Sequence, residues 1–466
     1  RRASVTHLDT ENVGELPKVD KTDNERDRIR REKELKDANI CLAKYGRRHF
    51  LRTFWRYVGL DYPDAILLKF LRARKWDVHA ALAMLTSCLK WRMESDIEDI
   101  VKSGEEGWTQ EGFKQLFEKG IEYSHGTDRQ GRPVCVIRPD LHSPSAQPPR
   151  AMEDYLGHQM DWWRSLCSPP IEKLTIIIDL SNFGLANIDF RNFSCMETYY
   201  PETLNTCLIH NAPTLARMSW RAISPLLDPV VRAKFQFTHR FEDLAEHIDK
   251  AYIPKILDGD DQYEWKYVPP VADENARMKD KENRRRLQSE RNSIIHEHER
   301  LTRSWVTADP SDLDHSDLLR AREIVNSQLR LQAFELDPYI RARTVQHRKG
   351  HVVGNGMIVF DHYPQGKGNE VEWNVTGWEH CKEALEERVS EGMRILQASA
   401  SQWTPKDLNL RRGVEVQKGE WKRRADVKVD EAKRRILGFA ASEENTDIAS
   451  PTDVVLTPDG SKGSQK

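Results

Sequence analysis

The chain is 466 residues long, with 72 basic and 74 acidic residues and a formal net charge of −2, enough for two or three domains with sizeable cores. That balance excludes bulk attraction to nucleic acid or to an anionic surface, so charge-driven binding must be local. No apolar run approaches the roughly 20 residues needed to cross a bilayer, and the longest, Leu174 to Leu180, suits one buried strand.

The chain opens at Arg1 with neither Met nor a signal-type apolar segment, which leaves open whether residues precede it. Residues 1–22 are polar and aperiodic and read as a disordered arm. Asp23 to Lys44 has a helical composition. Asp64 begins a short helix carrying Ile66, Leu67, Phe70 and Leu71, and Asp77 caps a second with Ala81, Leu82, Leu85, Leu89 and Trp91 on one face. Residues 23–106 therefore form a small all-helical subdomain.

The pattern then changes. Residues 132–137, following the turn Asp128-Arg129-Gln130-Gly131, read as a strand, as do Thr175 to Leu180, Asn205 to Ile209 and Lys234 to Thr238. Helical stretches at 152–166, 190–200 and 215–227 separate them, which predicts an α/β unit with a largely parallel sheet over 107–268. A mainly helical extension occupies 269–410: helices at 272–307, 314–333 and 378–396, and a hairpin or edge strand within 351–373. Residues 411–466 are basic and then polar, and read as a disordered tail.

Catalytic signatures are missing. There is no G-x-S-x-G elbow, Walker-A loop or H-E-x-x-H. Gly354 and Gly356 make a fragment of a dinucleotide fingerprint, but the residues after them are strand-like. His296 and His298, two apart on a helix, point to different faces and cannot share a metal. Asp179 and His210, at strand ends, more often satisfy loop polar groups than catalyse. The seven cysteines (Cys41, Cys88, Cys135, Cys167, Cys195, Cys207 and Cys381) are scattered without a C-x-x-C pair, which suits reduced thiols in the cytoplasm. The expectation is a protein that is not an enzyme and holds no metal or cofactor.

Five blocks carry a resemblance: Leu68 to Asp77 with Lys90-Trp91-Arg92; His125 to Asp128 with Gly131 to Val134; Tyr199-Tyr200-Pro201-Glu202; His210 to Pro213 with Leu227 to Val230; and Pro254 to Gly259. In this order and spacing they resemble the CRAL-TRIO family, specifically fungal phosphatidylinositol transfer proteins. Asp258 departs from the family's usual Gly. Glu274 to Trp305 and Leu336 to Arg343 look like a fungal branch with an extended C-terminus. The resemblance implies a CRAL-TRIO lipid-binding domain, a largely parallel sheet with helical walls around an apolar cavity closed by a movable helix. It places Leu215, Met218, Ala222, Ile223 and Leu226 on the gate helix, facing the cavity. Arg217, Trp220 and Arg221, on the opposite face, suit a membrane–water interface.

An inositol phospholipid presents a phosphodiester and a ring of hydroxyls, which call for cationic donors and a carboxylate acceptor. The resemblance assigns that work to Arg74, Glu202 and Lys234. At the family's phosphatidylcholine positions stand Leu174, Ile176, Ser124 and Cys135, of which only Ser124 keeps a hydroxyl. The implied partner is thus phosphatidylinositol, with a second, more apolar lipid such as a sterol or isoprenoid admitted by the greasier lining. The expected setting is cytoplasmic, with transient peripheral contact with organelle membranes and no nucleic acid. The alternatives are a lipid-gated scaffold that regulates a lipid kinase or small GTPase, and a hydrolase acting on the bound lipid.

Overall fold

The computed structural model describes residues 25–184, 187, 198–226, 229–309, 313–366, 370–398 and 419–446. Its centre is a five-stranded sheet of β1 (Glu122–Thr127), β2 (Pro133–Ile137), β3 (Leu174–Asp179), β4 (Leu204–His210) and β5 (Phe235–Thr238), in that spatial order. β1 runs antiparallel to β2 and the other pairs are parallel. Side chains alternate between the faces of a sheet, and here the register stacks like with like. Tyr123, Val136, Ile177 and Leu208 form one row, whose face packs on Leu244, Ile248, Ile253 and Leu257. Ser124, Cys135, Ile176, Cys207 and Phe235 form a row on the other face, which meets the helices. A sheet buried on both faces explains the unbroken apolar run of β3.

The helical subdomain comprises α1 (Glu25–Val58), α2 (Pro63–Ala73), α3 (Val78–Glu94), α4 (Ile97–Gly107) and α5 (Phe113–Lys119). Gly46, at φ 72°, breaks the helical path of α1. Asp77 caps α3 as expected, accepting from the Ala80 amide at 3.0 Å. α2 starts one residue earlier than expected, because Pro63 takes the first helical position and Asp64 falls in the first turn. Phe54, Tyr57, Ile66, Phe70, Met84 and Leu89 join Trp163 and Leu166 of α6 (Pro149–Leu166) over the second sheet face.

β4 leads to α7 (Thr214–Ile223), at the position of the expected gate. Most of the helix expected at 190–200 lies outside the described residues. The extension comprises α8 (Lys281–Thr307), α9 (Leu313–Ile340), the hairpin β6 (Ile358–His362) and β7 (Glu372–Thr376), α10 (Lys382–Ala398) and α11 (Glu420–Thr446). α9 continues past 333 through Pro338. Within the tail expected to be disordered from 411, residues 420–446 instead form α11, while 411–418 and 447–466 lie outside the described residues. Ala425, Val429, Ala432 and Ile436 recur at helical spacing and pack on Met357 and Val359 of the hairpin segment.

The extension is fastened to the preceding helices by arginines. Arg322 forks onto Asp64 at 3.0 Å, Arg348 bonds Glu105, and Arg341 reaches Asp161 at 3.3 Å.

Candidate functional site

Glu202 is placed from two sides. Tyr199 stacks on Trp91 with centroids 4.2 Å apart, and its carbonyl accepts from the Cys88 thiol; Tyr200 is buried edge-on to Tyr57. These anchors deliver Pro201-Glu202 at the start of β4, with Glu202 at φ 57°. The Thr203 carbonyl accepts from the Leu174 amide, and the Lys234 carbonyl from the Cys207 amide. Backbone pairing therefore brings Glu202, Lys234 and the residue before β3 to one edge of the sheet.

At that edge Lys234 Nζ lies 3.9 Å from Glu202 Oε2, and Lys173 Nζ lies 3.5 Å from the same oxygen. The structure thus brings Glu202 and Lys234 together and adds Lys173, which the sequence reading missed. A lone lysine before a strand carries no signal of its own until pairing with β4 is known. Arg74 ends α2, donating to the Ala73 carbonyl at 3.3 Å. That helix end is tied to the same region: Arg72 pairs with Glu172 at 3.0 Å and Lys69 donates to the Glu172 carbonyl at 3.1 Å. Two ammonium groups flank one carboxylate, all partly exposed. Such a group can exchange an internal ion pair for a phosphodiester and leave the carboxylate to accept from hydroxyls.

Along the helix-covered sheet face, Ser124, Cys135, Leu174 and Ile176 are all buried, and Ser124 Oγ lies 3.5 Å from Cys135 Sγ. α7 differs from expectation in its rotation. Trp220 is half-buried against Phe235 (4.7 Å between centroids) and Phe237, and Arg217 lies over the Phe237 ring. Met218 is 60% exposed and Arg221 is exposed. In this conformation Met218 and Trp220 thus occupy the reverse of their assigned sides, because β5 offers two phenyl rings to the indole. The side chains of Leu215, Ala222, Ile223 and Leu226 lie outside the described residues.

Asp179 and His210 have local partners. Asp179 accepts from the Ser181 amide and hydroxyl, and His210 Nδ1 meets Thr238 Oγ1. Burial pushes the thiols of Cys88 and Cys167 up to about 12, so neither is a thiolate near neutrality. One group could hold a metal among the described residues, His125, Asp261 and His362. Its geometry is that of a hydrogen-bonded latch: both imidazoles meet Asp261 Oδ2, at 2.8 and 2.9 Å, while Oδ1 accepts from the Tyr263 and Tyr363 amides. No described helix is long and apolar enough to cross a membrane.

The CRAL/TRIO domain profile matches residues 117–259, and that of its N-terminal domain residues 31–87. The chain is 34% identical over 302 residues to CRAL-TRIO domain-containing protein C3H8.02 of Schizosaccharomyces pombe, covering 64% of this chain and 67% of that one. It is also 34% identical over 302 residues to phosphatidylinositol transfer protein CSR1 of Eremothecium gossypii, covering 63% and 69%. Phosphatidylinositol/phosphatidylcholine transfer protein SFH12 of Arabidopsis thaliana is 30% identical over 218 residues, covering 42% and 39%.

Proposed function

The chain belongs to the CRAL-TRIO family of lipid-binding and transfer proteins, and on that premise we propose that it binds phosphatidylinositol and moves or presents it between membranes. The observation that carries this reading is the meeting of Lys234 and Lys173 on Glu202 at the edge of the apolar sheet face. In this reading the lysines take the phosphodiester, Glu202 and Arg74 hold the inositol ring, and the acyl chains displace side chains along the helix-covered face. α7 opens the way, with Arg217, Trp220 and Arg221 meeting headgroups while it is displaced. The name of the Eremothecium relative supports this choice of ligand.

The same reading makes the protein selective. A choline lipid needs donors for its phosphate and aromatic faces for its ammonium. Leu174, Ile176 and Cys135 offer neither, and a phosphate buried beside them would lose solvation without full replacement, at a cost of several kcal/mol. An apolar sterol-type second ligand suits that surface better. The test is transfer between vesicles by the pure protein. Phosphatidylinositol should move and phosphatidylcholine should not. Robust phosphatidylcholine transfer would overturn the selectivity, and failure to move either would turn the reading toward a lipid-gated regulator.

A further inference from the structure

A pocket lies away from that edge, where the end of α6 meets the second half of α9 and the loop before β6, with apolar side chains and a set of charged ones in its wall. It holds about 70 Å³ and is walled by Arg164, Arg330, Arg341 and Arg343, with Asp61 and Asp337 as its carboxylates. A buried water needs about 10–15 Å³ of such volume, so there is room for one tetrahedral oxyanion and its nearest waters.

The charges do not balance. Four guanidiniums face two carboxylates. Asp161 touches Arg164 and Arg341 from behind, but it also serves Arg92, which Glu98 shares. With those three groups counted, one positive charge remains over. Arg330, buried, donates to the carbonyls of His380 and Leu60 and to Ser168 Oγ; no carboxylate is within ion-pair distance of it among the described residues. A buried cation without a counter-charge is costly.

Two further signs point the same way. Arg164 Nε and Trp162 Nε1 are buried N–H donors of pocket-lining side chains, and neither finds an acceptor. Such orphans are rare in native structures and call for an explanation. His347, also on the wall, is held well below the usual histidine range, first by burial and then by Arg343, Arg341, Arg348 and Arg435. Burial is the larger cause, and the nearby guanidiniums act in the same direction.

We propose that this pocket is a binding site for a phosphate-type oxyanion. Guanidinium forks match phosphate geometry, and the four here come from α6, α9 and the segment after α9. Gly354 and Gly356, at φ 86° and 98°, line the pocket on the loop side beside Val352, Met357 and Ile358. The phosphate cements α6 of the lipid-binding part to α9 of the extension. This assignment is independent of the ligand read at Glu202.

Titration calorimetry on the full chain at constant ionic strength tests it, with two probes: inorganic phosphate, and glycerophosphoinositol 4-phosphate, a phosphomonoester headgroup without acyl chains. Saturable binding of at least one probe is expected, weakened about tenfold or more by Arg343→Gln. Headgroup binding much tighter than inorganic phosphate would identify a lipid source, and equal binding a free phosphate. If Arg343→Gln does not fold, Trp162→Phe, which removes only an N–H and part of a ring, must weaken binding instead. Absence of saturation by either probe up to about 10 mM, or affinity unchanged in the folded variant, overturns the proposal.

Discussion

Two groups of charges flank the same sheet and are built differently. Around Asp161 the pairs are close and dry: Arg92 Nη1 stands 2.9 Å from the carboxylate, with side chains 1% and 2% exposed. Burial alone would raise the Asp161 carboxyl, but Arg92, Arg164 and Arg341 outweigh it and hold it below the usual range. At the edge where β3 and β4 begin, Lys173 and Lys234 stand 3.5 and 3.9 Å from Glu202, with side chains 15–37% exposed. Those separations exceed good hydrogen-bond length. The first group is committed to the fold, whereas the second can trade partners for a ligand at little cost. Variants of the two groups should therefore fail in opposite ways.

The largest effect is expected at Asp161. Asp161→Ala removes the carboxylate shared by Arg92, Arg164 and Arg341, the first two buried, and should lower unfolding free energy by about 3–5 kcal/mol, measured by chemical denaturation. A loss below about 1 kcal/mol would place Asp161 with the exchangeable charges.

Next comes the pH dependence of stability. Burial holds His158 at about 4, against 6.5 for a free imidazole. Between those values the unfolded chain takes up the proton and the native chain does not. Stability should therefore fall as pH drops from 6.5, by about 3 kcal/mol at pH 4 from this residue alone. His298, also held at about 4, acts in the same sense. The carboxyls of Asp161 and Asp261, held low in the native state, add their loss only below about pH 4. His158→Gln should flatten part of the slope between pH 6.5 and 4, and an unchanged slope would remove His158 from this account.

Lys234→Ala should behave in the opposite manner to Asp161→Ala. Phosphatidylinositol binding should weaken by about 1.5–3 kcal/mol, the worth of a charge-assisted contact, with the denaturation midpoint nearly unmoved. Equal losses of binding and of stability would erase the contrast between the two groups.

The smallest signal concerns α7. With Trp220 as the single retained tryptophan, anionic vesicles should blue-shift its emission as the indole leaves Phe235 and Phe237 for the interface. An unmoved spectrum in a transfer-competent protein would mean that docking uses another surface.

The contrast also marks what a linear chain reveals. Asp77 was legible as a cap because its partner is three residues away. The meeting of Glu202 and Lys234 was implied only by the resemblance. Lys173 was not legible, since its role depends on β3 lying beside β4. α11 was hidden because its buried positions, Ala425, Val429, Ala432 and Ile436, sit among Lys and Arg that mask the apolar period. Where Met218 and Trp220 sit in this conformation of α7 was not legible, because periodicity finds a stripe but not the rings awaiting it on β5. The latch on Asp261 was out of reach for a related reason: His362 arrives 101 residues later in the chain.

The most direct test of the central claim is to purify the full chain, extract it, and identify the co-purifying lipid by mass spectrometry, beside Lys234→Ala. Phosphatidylinositol should accompany the unaltered protein and be depleted from the variant. A choline lipid in its place, or phosphatidylinositol retained equally by both, would contradict the account.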